Sequence, residues 1–216
     1  STLLASSAAS DVYKRQEDIR PCIRCHNACF TMARYEGTAN IQDLGDAIHM
    51  ARCALNPTTM QTKKYRIVKT EKPKRIAIIG GGIGGMECAL VLKQQGNIPV
   101  LFEKTNELGG LFLTASAMTF KENDKELITW YKREIEKAGI EVHMNTEVND
   151  LNTLRGFDDI IVATGSTPRM MPQIKGFEKT LTFTDVLKDK KDVGDKVLFI
   201  GGGQSSCEAA YDMLLN

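Results

Sequence analysis

This chain predicts an α/β fold built on a parallel sheet, on three observations. An apolar run from Arg75 to Gly80 leads into a glycine-rich loop and then a helical pattern. A second glycine loop, Gly201-Gly202-Gly203, again follows an apolar run and opens a helix, with Gly201 placed 121 residues after Gly80. Between the two, strand-like and helix-like stretches alternate, as crossovers between parallel strands require.

The elements follow in order. Ser1 to Gln16 reads STLLASSAASDVYKRQ, and its SDVYKRQ end resembles translated adapter sequence. A flexible leader is the alternative reading, and 1–16 is set apart from the fold either way. Residues 17–72 are irregular, with cysteines, short helical stretches and a linker from Lys63 to Lys74 whose charges suit a solvated surface. Residues 75–80 (RIAIIG) fit a buried parallel strand. Ile83 to Gln95 has a helical pattern ended by Gly96, a good cap. Ile98 to Phe102 is the next strand, closed by Glu103, and completes a βαβ unit. Asn123 to Ala138 is amphipathic, with Leu127, Ile128, Tyr131, Ile135 and Ala138 on one face. Asn123 and Glu126 predict a capping box there, and Gly139 ends the helix. Ile140, Val142 and Met144 alternate as a strand. Asp159 to Ala163 is another, followed by the turn signal Thr164-Gly165-Ser166-Thr167-Pro168. Lys196 to Ile200 predicts the last strand. The final helical pattern is still running at Asn216, which reads as an internal piece of a longer protein.

Composition narrows the classes. The 216 residues carry 28 basic and 27 acidic side chains with no basic block, which argues against a nucleic-acid partner. No apolar run approaches the roughly 20 residues that span a bilayer. Six cysteines in a chain with βαβ patterns and no signal peptide fit a reducing cytoplasm better than a disulfide framework.

Four of those cysteines, Cys22, Cys25, Cys29 and Cys53, are spaced C-x2-C-x3-C-x23-C. Thiolates are soft ligands that suit zinc or an iron–sulfur cluster, and three close cysteines plus a distant one can surround a [4Fe–4S] cubane. A zinc site of four cysteines, or of three with His26, is a competing reading. Cys22-Ile23-Arg24-Cys25-His26 also matches the CxxCH signature of c-type haem, and unligated thiols are the plainest alternative. Arg20 and Arg24 are candidates for donors to the sulfurs, or else ordinary surface arginines. Cys88 and Cys207 form no redox pair and read as small buried residues.

In the first loop, Gly80, Gly82 and Gly85 match G-x-G-x-x-G. Gly80 allows the tight turn, Gly82 lets the backbone approach a pyrophosphate, and Gly85 lets helix and strand pack closely. The helix N-terminus meets the phosphate charge. Glu103, 23 residues after Gly80, ends the second strand where it can accept from ribose hydroxyls. Together these predict a dinucleotide site. The second loop reads G-x-G-x-x-S, with Ser206 in the third place, and predicts another nucleotide site. The acid that would tell NADH from NADPH falls past Asn216.

From about Glu17 onward the chain resembles the C-terminal half of the iron–sulfur flavoenzymes of the old yellow enzyme superfamily. That group includes 2,4-dienoyl-CoA reductase, 2-enoate reductase, NADH:flavin oxidoreductases and trimethylamine dehydrogenase. The resemblance is carried by Arg20-Pro21-Cys22-Ile23-Arg24-Cys25-His26 with Cys29, Cys53-Ala54-Leu55-Asn56-Pro57, the first loop with Glu103, Leu108-Gly109-Gly110, Ala163-Thr164-Gly165 and the second loop. It implies an irregular iron–sulfur segment and linker over 17–72, an incomplete Rossmann-like FAD-binding domain over 73–169, and the truncated start of a nested NAD(P)-binding domain over 170–216. It implies a [4Fe–4S] cluster on Cys22, Cys25, Cys29 and Cys53. It implies FAD, or ADP in the dehydrogenase branch, on Gly80, Gly82, Ile83, Gly84, Gly85, Glu103, Lys104, Gly110, Val148, Ala163, Thr164 and Gly165. NAD(P)H falls to Gly201, Gly203 and Ser206, and FMN to an N-terminal barrel that also holds the catalytic residues and meets a small-molecule substrate. The implied activity is NAD(P)H-dependent reduction of an enoate or dienoyl-CoA type C=C bond by a cytoplasmic enzyme capable of forming a homo-oligomer in its full-length form. An amine dehydrogenase-like enzyme and an electron-transfer subunit are the alternatives. Family members space the third and fourth cysteines more closely. Here 23 residues intervene, including Tyr35 to Ala47, which reads as a surface insertion because longer loops add little closure entropy.

Overall fold

The computed structural model of the chain describes residues 16–26, 29, 51–168 and 171–215. Most of the leader and the Tyr35 to Ala47 insertion lie outside the described residues.

The fold grows from one βαβ unit. Strand β1 (Arg75–Ile79), helix α1 (Ile83–Gln95) and strand β2 (Ile98–Phe102) stand where the sequence predicts them. Gly96 ends α1 in the left-handed region at φ 93°, its amide donating to the carbonyls of Leu92 and Lys93. Thr70 donates its amide to the Gln95 carbonyl at 2.8 Å, so the linker is fastened to the end of that helix. A short helix, α2 (Leu111–Ala115), follows the Leu108-Gly109-Gly110 turn and has no counterpart in the sequence reading.

Helix α3 (Glu122–Lys137) presents the predicted face, with Leu127, Ile128, Tyr131 and Ile135 buried and Trp130 added to it. Its expected capping box does not form. The N-cap is Lys121, with no side-chain cap, because a turn from Met118 to Lys121 starts the helix early and leaves Asn123 inside its first turn.

Strands β3 (Glu141–His143) and β4 (Asp159–Val162) complete a parallel sheet of order β3-β2-β1-β4. The chain steps outward from β1 to β3, then crosses back and sets β4 on the other side of β1. In open α/β sheets, ligands bind outside the carboxyl ends of the strands at such a reversal. The first glycine loop leaves β1 at that point.

Helices α1 and α3 cover one face of the sheet around Ile78, Met86, Leu101, Leu127 and Tyr131. Burying an apolar side chain of this size contributes roughly 1.5–3 kcal/mol. The other face is thinner, with Ala77, Ile79 and Leu154 packed by Phe102, Val148 and Phe157.

Residues 196–200 do not form the expected strand, and helix α4 (Gln204–Leu215) starts after an unpaired segment. A strand is stable only with a partner, and among the described residues none pairs with this one. Val197, Leu198 and Ile200 are exposed, Leu198 at 87%. Helix α4 docks through Ala209, buried with Met118 and Leu187, and through polar contacts. Asp212 accepts from the Thr119 amide at 2.7 Å and its hydroxyl at 2.6 Å, and Lys121 pairs with Glu208 at 3.1 Å. No helix among the described residues is long and apolar enough to cross a membrane.

Candidate dinucleotide site and cysteine loop

Each glycine of the first loop answers to a different neighbour. Gly80 has φ 113°, and a Cβ there would lie 2.4 Å from the Ala163 carbonyl oxygen, so the turn and the approach of β4 both exclude a side chain. A Cβ on Gly85 would lie 1.9 Å from the Gly80 carbonyl oxygen, which ties that glycine to the packing of α1 on the loop. Gly82 differs. A Cβ there would meet only the Gly110 Cα, at 4.0 Å, and Gly84 would meet nothing. The protein itself places no demand on Gly82; a ligand backing onto the helix N-terminus would.

The carboxylate of Glu103 sits beneath this loop, 6% exposed. Its Oε2 accepts from the Gly81 amide at 2.7 Å, and its Oε1 accepts from the amide and hydroxyl of Thr105, both at 2.8 Å. A carboxylate has about four acceptor positions, so three protein donors leave capacity for a ribose hydroxyl. The sequence reading found Glu103 but missed Thr105, although a threonine two residues after an acid is a known local hydrogen-bonding pattern. The Leu108-Gly109-Gly110 turn closes the loop from the other side. Gly109 donates its amide to the Gly81 carbonyl at 2.9 Å, and Gly82 and Gly109 form a parallel bridge.

Gly80, Gly82, Gly85, Glu103, Gly110 and Ala163 are thus brought together. Ile83 lies in the first turn of α1, half-buried against the core. Lys104 is exposed beside Glu103, Thr164 and Gly165 are exposed beyond β4, and Val148 packs on the thinner face near the strand ends.

The second loop stands apart. Gly201 has φ 109°, while a Cβ on Gly202 or Gly203 would meet nothing within 4 Å. A cavity of about 1450 Å³ lies beside it, lined by Leu111 and Phe112 of α2, Ser205 and Ser206 of α4, and Ile23 and Cys25 of the cysteine loop. It exceeds the roughly 300–1,000 Å³ of ordinary ligand pockets.

None of the six cysteines is paired in a disulfide. In the cysteine loop Arg24 and His26 are left-handed, at φ 54° and 49°, and the Arg24 amide donates to the Cys22 sulfur at 3.4 Å. Amide donors to sulfur are a feature of iron–sulfur sites, so loop and donor type suit a sulfur-ligated centre. The four sulfurs themselves are not drawn into one coordination group, and among the described residues no three His, Cys, Asp or Glu side chains are. The Arg20 guanidinium donates to Glu87 rather than to a sulfur. Cys88 is half-buried against the core as expected, and burial followed by the nearby Glu87 charge raises its thiol pKa. Cys207 is exposed, contrary to expectation, because the first turn of α4 has no sheet to cover it.

Fold and site define a dinucleotide-binding α/β protein. Residues 52–156 match the family model for pyridine nucleotide-disulphide oxidoreductases. The chain is 35% identical to cinnamate reductase of Clostridium sporogenes over 91% of its length, and 35% identical to NADH oxidase of Thermoanaerobacter brockii, also over 91%. The structure of a 2-naphthoyl-CoA reductase complex with 2-naphthoyl-CoA superposes with a TM-score of 0.81 at 29% identity over 96% of the chain. The chain is thus homologous to enzymes of the iron–sulfur flavoenzyme group related to old yellow enzyme. It spans 28%, 30% and 30% of the length of these three relatives, respectively. That likeness implies sites for a flavin dinucleotide and a pyridine nucleotide.

Proposed function

We propose that this chain is the electron-entry part of an NAD(P)H-dependent flavin oxidoreductase, with FAD on the first glycine loop and the pyridine nucleotide on the second. The observation that carries the reading is the division of labour in the first loop. Gly80 and Gly85 are required by packing, whereas Gly82 faces open space at the N-terminus of α1, above a buried acid. A pyrophosphate supplies the missing reason for Gly82, and the Glu103 carboxylate receives the ribose. Gly203, whose Cβ position is equally open, serves the second nucleotide in the same way.

When bound, the nucleotide and flavin supply hydride transfer, a thiolate-held [4Fe–4S] centre supplies single-electron transfer, and FMN elsewhere in the protein supplies reduction of an enoate or dienoyl-CoA type C=C bond. Cys22, Cys25, Cys29 and Cys53 would hold the iron centre. The chain's own residues bind and orient: the α1 N-terminus holds phosphate charge, and Glu103 fixes the adenosine end.

Anaerobic addition of NADH or NADPH to the purified protein is expected to bleach its flavin. Gly203→Val is expected to slow that step while dithionite still reduces the protein fully. If neither nucleotide bleaches the wild-type flavin, or if the first site holds ADP, the amine dehydrogenase-like reading replaces this one.

A further inference from the structure

The candidate cluster cysteines lie on two separate arms, one around Cys22 and Cys25, the other around Cys53. Both arms reach the outer side of α1 and α3, and one side chain touches all the parties there. The Arg20 guanidinium donates from Nη2 to Glu87 Oε2 at 2.8 Å and from Nη1 to Glu87 Oε1 at 3.2 Å. Its Nη1 also donates to the Leu55 carbonyl, two residues beyond Cys53. The same guanidinium stacks over Trp130 at 4.6 Å and lies 5.3 Å from the Tyr131 ring. Tyr131 donates its hydroxyl to Glu87 Oε2 at 3.0 Å, which holds the acid in place. Ile23 and Leu55, one from each arm, pack against the core beside it.

We propose that Arg20 is a positioning residue that ties the Cys22 arm to the Cys53 arm and anchors both to the nucleotide domain through Glu87. The planar fork of an arginine makes this possible. It serves a carboxylate with two donors while leaving an N–H for a carbonyl and a flat face for an aromatic ring. A lysine ammonium carries the same charge but cannot do all three. Arg20 stands two residues before Cys22, and Leu55 two residues after Cys53, so the clamp fixes the approach of one sulfur to the other. The role deepens the proposed function, because it gives a reason for the arms to meet beside the flavin domain.

The test uses the purified protein with Arg20→Gln, Arg20→Lys and Glu87→Gln. Hydrogen exchange read by mass spectrometry is expected to speed by about tenfold in both 19–24 and 53–56 in each variant, with exchange across β1 unchanged as a check on folding. Iron and sulfide per flavin are expected to fall to less than half the wild-type value, with flavin content unchanged. If exchange in either arm stays at the wild-type rate in Arg20→Gln and Glu87→Gln, the clamp is overturned. An Arg20→Lys protein indistinguishable from wild type overturns the fork argument. A wild-type protein without iron removes the iron–sulfur reading and leaves the exchange measurement to decide the clamp alone.

Discussion

The two glycine loops share a sequence pattern and nearly the same opening conformation, with φ 113° at Gly80 and 109° at Gly201. Their surroundings differ. Gly80 follows a strand hydrogen-bonded on both sides, and its Cβ position collides with the Ala163 backbone at 2.4 Å. Gly201 follows an unpaired segment, and the nearest atom to its Cβ position is the Ser206 hydroxyl at 3.8 Å. A buried acid lies beneath the first loop, while the second has none among the described residues. A glycine pattern therefore does not build a nucleotide site by itself. It marks where a sheet can build one, and the neighbouring strands decide how many of the glycines are obligatory.

The largest expected effect comes from the tightest contact. Gly85→Ala places a Cβ against the Gly80 backbone and is expected to cost about 3 kcal/mol or more in denaturant unfolding. Gly202→Ala, with nothing near its Cβ position, is expected to stay within about 0.5 kcal/mol of wild type. Equal losses at the two positions would erase the contrast between the loops.

Glu103→Ala sharpens the comparison at the level of the web beneath the first loop. It leaves the Gly81 amide without its acceptor, an expected cost of about 1–3 kcal/mol in stability. Flavin retention after dialysis is expected to fall about tenfold or more, since a hydrogen bond to a charged group is worth about 1.5–3 kcal/mol. Unchanged flavin content would remove Glu103 from the adenosine site.

Gly82→Ala separates ligand from fold. The added methyl meets no protein atom closer than 4.0 Å, so the thermal midpoint is expected to hold while flavin affinity falls by about tenfold, or ~1.4 kcal/mol. A loss of stability without a loss of flavin would reverse that assignment.

Legibility in the sequence followed the range of the interactions. β1, α1 and β2 are set by local signals, an apolar run and two glycines, and the structure keeps their predicted bounds. The face of α3 was readable from spacing alone. Its start was not, because the Met118 to Lys121 turn outcompetes the Asn123 box. Lys196 to Ile200 has strand composition, but pairing is non-local, and composition cannot supply a partner. Glu103 was legible because it ends a strand at a fixed distance from a glycine loop. The partnership of Arg20 with Glu87 joins residues 67 positions apart and leaves no periodic trace.

The web of Glu103, Gly81 and Thr105 has a consequence for how a dinucleotide is kept. Binding usually loses free energy to the ordering of loops and side chains, and rigidity before contact reduces that loss. Here the acid is already oriented by three donors and the loop already bridged to Gly109. A cofactor arriving at the first loop meets a surface with little left to freeze. On the proposed reading, a dinucleotide held there is expected to leave slowly, which its dissociation rate would show.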